Sequence, residues 1–374
     1  MRIEWCKFYM DDDEKKNVME VLNSGWLSTG PKVKEFEEIM AKYVGAKHAI
    51  AVSNGTAALD IALKILNIQP NDEVIIPAMT YIATAHAVCY QGAIPVCADI
   101  DPKTFNIDPK DIERKITSKT KCVIPIDYAG QGADYDAIIK IAKKHKLYVV
   151  EDGAPGLFGK YKGKALCSMG DIATTSFHTA KIISTIEGGM IFTDNDEYNR
   201  LARIIRWQGE DPYRKYYHPR LGFNHRMTDL SAAIGLAQVS KGRVKNVLAS
   251  RKNGAEYYIS KLKGVKNITL PYVSKNCTHS WFLFPILIPH RDEVNDILLK
   301  NGIKANISWP MTVYRQESYK KFKRSSYPIA ERVTNEILCL PLFYQITKLE
   351  QDYVVENLIE AINYCVAQHK KTTK

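Results

Sequence analysis

Between about residues 45 and 195 this chain of 374 residues alternates short apolar runs with amphipathic segments, and few folds accept that rhythm. The apolar runs span 49–53, 73–77, 95–100, 122–127, 148–152, 172–177 and 190–193. Several are almost continuously apolar, as strands covered on both faces tend to be. Between them, Leu59, Leu63 and Leu66 share one helical stripe in 56–66, and Ile138, Ile139 and Ala142 share another in 135–145. Strand–helix alternation of this kind predicts an α/β fold, a mostly parallel sheet of seven strands with helices on both faces.

The pattern changes downstream. One long helical tract is expected over about 228–263, opening on the capping pair Thr228-Asp229. Residues 264–374 carry fewer and less regular strands, of which 280–288 is one, and close on a helix near 348–368. The expected organisation is a large domain over 1–240 and a smaller α+β domain over 241–374. The terminal HKKTTK is expected to fray.

Composition narrows the function classes. Hydrophobic content of 45% and charge of 25% are ordinary for a globular chain. No stretch approaches the ~20 uninterrupted apolar residues of a membrane span. The opening MRIEWCKFYMDDDEKK lacks the apolar centre of a signal peptide, so a cytoplasmic enzyme is expected. The eight cysteines form no C-x-x-C pair, and Cys89, Cys97 and Cys122 sit in apolar runs, which reads as reduced core thiols. No H-E-x-x-H pattern is present, and no metal is expected. The net charge of +11 is spread along the chain, with modest clusters at 143–144, 320–324 and 370–374. Without a nucleic-acid-binding motif, that charge suits an anionic small substrate better than nucleic acid.

The chemistry concentrates in the stretch from Glu151 to Asp194. Asp152 ends an apolar run, and Lys181 follows 29 positions later in Ser-Phe-His-Thr-Ala-Lys. Most lysines are solvated surface residues. Lys181 instead stands alone in a weakly charged stretch, where apolar neighbours lower a lysine pKa and leave the amine neutral. A neutral lysine amine and a carboxylate are what pyridoxal 5'-phosphate (PLP) needs. The first carries the cofactor covalently, and the second pairs with its ring nitrogen. Ser53-Asn54-Gly55-Thr56-Ala57 joins a strand to a helix, where Gly55 allows close approach and the Thr56 and Ala57 amides suit a phosphate. Ser176 is a second candidate phosphate ligand. Tyr81 follows another strand end, where an aromatic can stack on the pyridine ring, although a core tyrosine would explain the same residue. Asn224 and Arg226, in a Gly-bearing loop, suit anions, although a surface salt bridge would explain the same residues.

Together these motifs resemble the DegT/DnrJ/EryC1/StrS family of sugar aminotransferases, over nearly the whole chain. The resemblance runs through NSGWLSTGPKVKEFE, NGTAAL, PAMTYIATAHAV, GAIPVCADIDPKTFNID, ITSKTKCVIPIDYAGQGADYDAI and LGFNHRMTDLSAAIGLAQ. It implies the aspartate-aminotransferase-like (type I) fold and a homodimer with active sites shared between subunits. It makes Lys181 the cofactor-bearing lysine, Asp152 the ring-nitrogen partner and Tyr81 the stacking aromatic. Gly55, Thr56, Ala57 and Ser176 become phosphate-site residues, and Asn224 a phosphate ligand supplied to the neighbouring subunit. Relatives that act as dehydratases carry histidine in place of the lysine.

The resemblance also points to a substrate. Glu187-Gly188-Gly189 resembles members that aminate C4, and RWQGEDPYRKYYHPRLGFNHRMTDL is especially similar to GDP-perosamine synthases. His178 matches UDP-sugar 4-aminotransferases. His178, Arg226 and Tyr314 are the implied substrate-side residues. Two departures stand out. Pro155 replaces a glutamine that bonds the cofactor's phenolic oxygen and cannot donate in its place, and Tyr314 stands where many members have histidine. The implied reaction moves an amino group from L-glutamate to C4 of a nucleotide-linked 4-keto-6-deoxyhexose, in surface-glycan biosynthesis. Alternatives are amination at C3, another keto acceptor, or a PLP-binding regulatory protein without turnover.

Overall fold

The computed structural model describes residues 1–372. Seven strands form its main sheet: β1 (His48–Val52), β2 (Glu73–Pro77), β3 (Ile94–Ala98), β4 (Thr120–Val123), β5 (Tyr148–Asp152), β6 (Ile172–Ser176) and β7 (Gly189–Thr193). Their spatial order is β1-β7-β6-β5-β4-β2-β3. Strands β2 to β6 pair in parallel, and β7 runs antiparallel to both β1 and β6. The seven apolar runs are these seven strands. The largest boundary difference is at β4: beyond Val123 the chain keeps only an isolated bridge between Ile126 and Asp152, so the apolar run outlasts the strand.

Helices cover the sheet because their apolar stripes have nowhere else to go. Helix α1 (Gly55–Ile65) buries Leu59 and Leu63 against β6 and β7 and against α2 (Ile82–Tyr90). Truncating Leu63 to Ala there would cost about 2–5 kcal/mol. In the helix Tyr135–His145, Ile138 and Ala142 are buried and Ile139 is half-buried. All eight cysteines are free thiols, with Cys97 and Cys122 buried and Cys89 half-buried.

The expected continuous tract over 228–263 is two helices, α3 (Asp229–Val239) and α4 (Arg243–Leu262). Thr228 caps α3 through its hydroxyl, which accepts from the Ser231 amide at 3.2 Å. The break falls where Lys241 and Gly242 take left-handed φ angles of 49° and 72°, a conformation that ends a helix. Further on, the strand expected over 280–288 is the shorter Phe284–Leu287, paired antiparallel with Ile337–Leu340. The last helix, Lys348–Thr372, runs on past the point where fraying was expected; residues 373 and 374 lie outside the described residues. Among the described residues no helix is long and apolar enough to cross a membrane.

Candidate active site

Strands β1, β2, β5 and β6 all end at one edge of the sheet, the edge where open α/β sheets bind ligands. A cavity of about 970 Å³ opens there, within the usual range for small-molecule sites. Asp152, Lys181, Gly55, Thr56, Ala57, Tyr81, Ser176 and His178 all line it.

Asp152 is the last residue of β5, and side chains alternate along a strand. Glu151 therefore faces away from the cavity and accepts the Cys167 and Met169 amides at 2.5 and 2.6 Å. Asp152 turns inward, 3% exposed. Its carboxylate accepts the Thr84 hydroxyl at 2.8 Å and the Ala154 amide at 3.3 Å. The Thr84 hydroxyl lies 2.9 Å from that of Thr80. Burial pushes the Asp152 carboxyl up, while Thr84, Ala154 and the charge of Lys181 oppose the shift. A buried carboxylate held this way is stabilised by a cationic N–H set against it. Thr80 and Thr84 were not legible as site residues, because an i,i+4 pair of threonines beginning a helix has no distinctive signature.

The Lys181 amine sits 4.4 Å from the centre of the Phe282 ring. Burial lowers its pKa from the ordinary 10.5 to about 8, against the opposing pull of the Asp152 charge. About a tenth of the amine is then neutral, and so nucleophilic, at pH 7, far more than for an ordinary lysine.

The register of β1, β7 and β6 builds the third part of the site. Val52 and Ser176 both pair with Gly189, which brings the turn after β1 against the end of β6. A Cβ on Gly189 would come within 2.4 Å of the Asn54 carbonyl, and one on Gly55 within 2.9 Å of the Ser176 Cβ. Both positions must lack a side chain for this approach. The second glycine of Glu187-Gly188-Gly189 thus has a packing role, while Glu187 itself lines the cavity. Asn54 caps α1 and takes the Ala57 amide at 2.8 Å, so that amide already has a partner. The remaining donors of the first turn and the Ser176 hydroxyl form a cup at the positive end of a helix.

The residues read as substrate contacts divide. His178 lines the cavity with its Nε2 4.0 Å from Glu187 Oε1. Arg226 does not reach the cavity; its guanidinium lies 4.5 Å from the Trp207 ring centre. Asn224 is exposed and bridged to Trp207. The expectation for Tyr314 needs correction. It is 2% exposed, packs on Tyr327 with ring centres 4.9 Å apart and hydrogen-bonds Glu331, which keeps it out of the cavity wall. Pro155 does line the cavity and carries no side-chain donor. Of the basic cluster over 320–324, Lys320 pairs with Glu317 and Arg324 with Glu73, so those charges are already engaged. The outer wall comes from residues that sequence reasoning passed over: Trp5, Phe282, Asn306, Ser308, Trp309 and Pro310.

These residues fit PLP. A buried carboxylate, a lysine amine of lowered pKa and a glycine-bounded anion cup converge on one cavity, with Tyr81 58% exposed at its wall. The comparisons with known proteins agree. The DegT/DnrJ/EryC1/StrS aminotransferase family model matches residues 9–359. A GDP-perosamine synthase of Caulobacter vibrioides is 40% identical over 94% of this chain and 96% of its own. A UDP-2-acetamido-2-deoxy-3-oxo-D-glucuronate aminotransferase of Pseudomonas aeruginosa is 36% identical over 87% of this chain and 89% of its own. Among solved structures, the PLP form of Spr1654 from Streptococcus pneumoniae, described as a sugar aminotransferase, superposes with a TM-score of 0.91. It is 28% identical, covering 97% of this chain and 99% of that one.

Proposed function

The chain belongs to the DegT/DnrJ/EryC1/StrS aminotransferase family and is a PLP-dependent sugar aminotransferase, and from that premise we propose that it moves the amino group of glutamate to C4 of a nucleotide-linked 4-keto-6-deoxyhexose. The observation that carries the transamination is the convergence of Lys181 and Asp152 on one cavity. Bound there, PLP supplies the electron sink that acidifies the proton on the amine-bearing carbon. Lys181 would hold the cofactor and, once released, its amine would move that proton between the amine-bearing carbon and C4′ of the cofactor, across the intervening nitrogen. Asp152, whose ionised form Thr84 and the Ala154 amide favour against the larger push of burial, would pair with the ring nitrogen and keep it protonated. Ser176 and the first turn of α1 orient the phosphate, and Tyr81 covers the ring.

Two features favour the C4 position and a GDP sugar. The 40% identical relative is a GDP-perosamine synthase, and Glu187-Gly188-Gly189 resembles the sequence of members that aminate C4. Asn224 is exposed on a loop that also exposes Tyr213, Tyr216 and Leu221, which gives it an apolar setting for a second copy of the chain. A homodimer in which Asn224 completes the partner's phosphate cup follows from this reading. So does a division into a cofactor-binding part over 1–240 and a smaller part over 241–374. In its support, one apolar cluster joins Ile3 to residues between Ala255 and Cys365 alone.

The test is product analysis. The protein is incubated with PLP, glutamate and a GDP-linked 4-keto-6-deoxymannose, and the product is read by NMR. Nitrogen on C4 supports the proposal. Nitrogen on C3 of a 3-keto sugar, with no product from the 4-keto sugar, refutes the C4 assignment.

A further inference from the structure

Residues 224 to 226 run as an extended segment tied on both sides. The His225 amide donates to the Arg206 carbonyl at 3.1 Å, and the Ser53 amide donates to the His225 carbonyl at 2.9 Å. Alternation along such a segment sends Asn224 and Arg226 one way and His225 the other. His225 lines the cavity, and Asn224 and Arg226 do not. Beside the imidazole stands Asp60, which also lines the cavity, with Oδ2 3.6 Å from His225 Nε2. Asp60 follows Thr56 by one turn of α1, so the two share a helix face at the anion cup. Asp60 is 5% exposed and is itself held by Gln91, whose Nε2 donates to Oδ1 at 2.6 Å. The imidazole is also stacked on Phe223, with ring centres 4.8 Å apart. Nothing in the transamination chemistry above uses this imidazole or its carboxylate.

We infer that His225, oriented by Asp60, is a further phosphate-binding residue of the cavity, placed beside the first turn of α1. This rests on the reading of the cavity as a PLP and sugar-nucleotide site. A carboxylate behind an imidazole fixes its orientation and favours a donor on the ring, and a donor next to a helix N-terminus adds to an anion site already formed there. The shared ligand chemistry is a phosphate oxygen, from either the cofactor monoester or the substrate diphosphate. His225 touches the ligand, and Asp60 is the positioning residue.

The experiment titrates the full-length apoprotein with PLP and with pyridoxal, which lacks the phosphate, following absorbance. His225→Phe keeps the stack on Phe223 and removes the donor. It should weaken PLP roughly tenfold and leave pyridoxal unchanged. Asp60→Asn should move PLP in the same direction by a smaller factor, and His225→Asn, whose amide nitrogen takes the place of Nδ1 while Nε2 faces Asp60, should restore most of the loss. If PLP binding holds but the KM for the nucleotide sugar rises roughly tenfold with the glutamate half-reaction intact, the phosphate is the substrate's. If neither quantity moves in a variant with the parent Tm, the inference is wrong. Should His225→Phe not fold, His225→Leu, which carries no donor, takes its place with the same expected losses. Failure of the parent protein to bind PLP would instead overturn the assignment of the cavity, which keeps the two claims separate.

Discussion

Asp152, Ser176 and the first turn of α1 stand where strands of one sheet end, whereas Asn306, Ser308 and Trp309 stand on chain with no regular structure. The first group inherits its geometry from strand pairing: Asp152 faces Thr174 across a parallel pair, and Val52 and Ser176 share Gly189. In the second group a single bridge ties Asn306 to Cys339, and Trp309 takes a left-handed φ of 59°. Shifting a residue in the sheet wall means breaking ladder hydrogen bonds. Shifting one in the loop wall means changing a few turn residues, so one scaffold can keep its cofactor chemistry while its acceptor varies.

Variants on the two walls should therefore fail differently. Lys181→Ala should have the largest effect, lowering kcat roughly 10⁴-fold or more and abolishing covalent PLP capture, as read by steady-state kinetics and absorbance. Multiple turnover by that variant would remove Lys181 from the mechanism. Asp152→Asn should slow both half-reactions roughly 10²-fold, because it acts on the cofactor both share. A loss confined to the sugar half-reaction would break the comparison.

Trp309→Ala should do the reverse. The KM for the keto sugar should rise roughly tenfold while the glutamate half-reaction and PLP binding stay unchanged, as measured by stopped-flow with each substrate. Loss of PLP binding there would show that the loop wall also holds the cofactor.

Phe282 bridges the two walls, since it belongs to the loop side yet lies under the Lys181 amine. The reactive form is the neutral amine, so PLP capture should accelerate as pH rises through about 8, the lowered pKa of Lys181. Phe282→Ala admits water, relieves the burial that depresses that pKa, and should move the midpoint upward, toward the ordinary 10.5. An unmoved midpoint would mean that Phe282 contributes nothing to the shift. The smallest effect is expected of Pro155→Gln, which restores a donor at a position the present site works without: about a threefold change in PLP affinity at most.

The same contrast explains what the sequence revealed. The strands were legible because several are almost continuously apolar runs between turn residues. Asp152 and Lys181 were legible because an acid ending such a run and an isolated lysine after a later one have few bland explanations together. The loop wall carried no period to read, and Phe282, Asn306 and Trp309 approach the cavity through turns that composition does not announce. Tyr314 was placed by its neighbourhood in the sequence, but its hydroxyl finds Glu331 and its ring finds Tyr327. His225 sat between two polar residues that drew attention first, and the cavity lining shows which of the three faces inward. The helix expected over 228–263 failed at Gly242, the one glycine there followed directly by a new helix start.

The central claim is that Lys181 and Asp152 make this cavity a transaminating PLP site. The most direct measurement is the visible spectrum of the purified protein with PLP, before and after glutamate is added. The account requires a visible band that depends on Lys181 and disappears with glutamate, giving the pyridoxamine form. Absence of any band with PLP, or a band that Lys181→Ala retains, would contradict it.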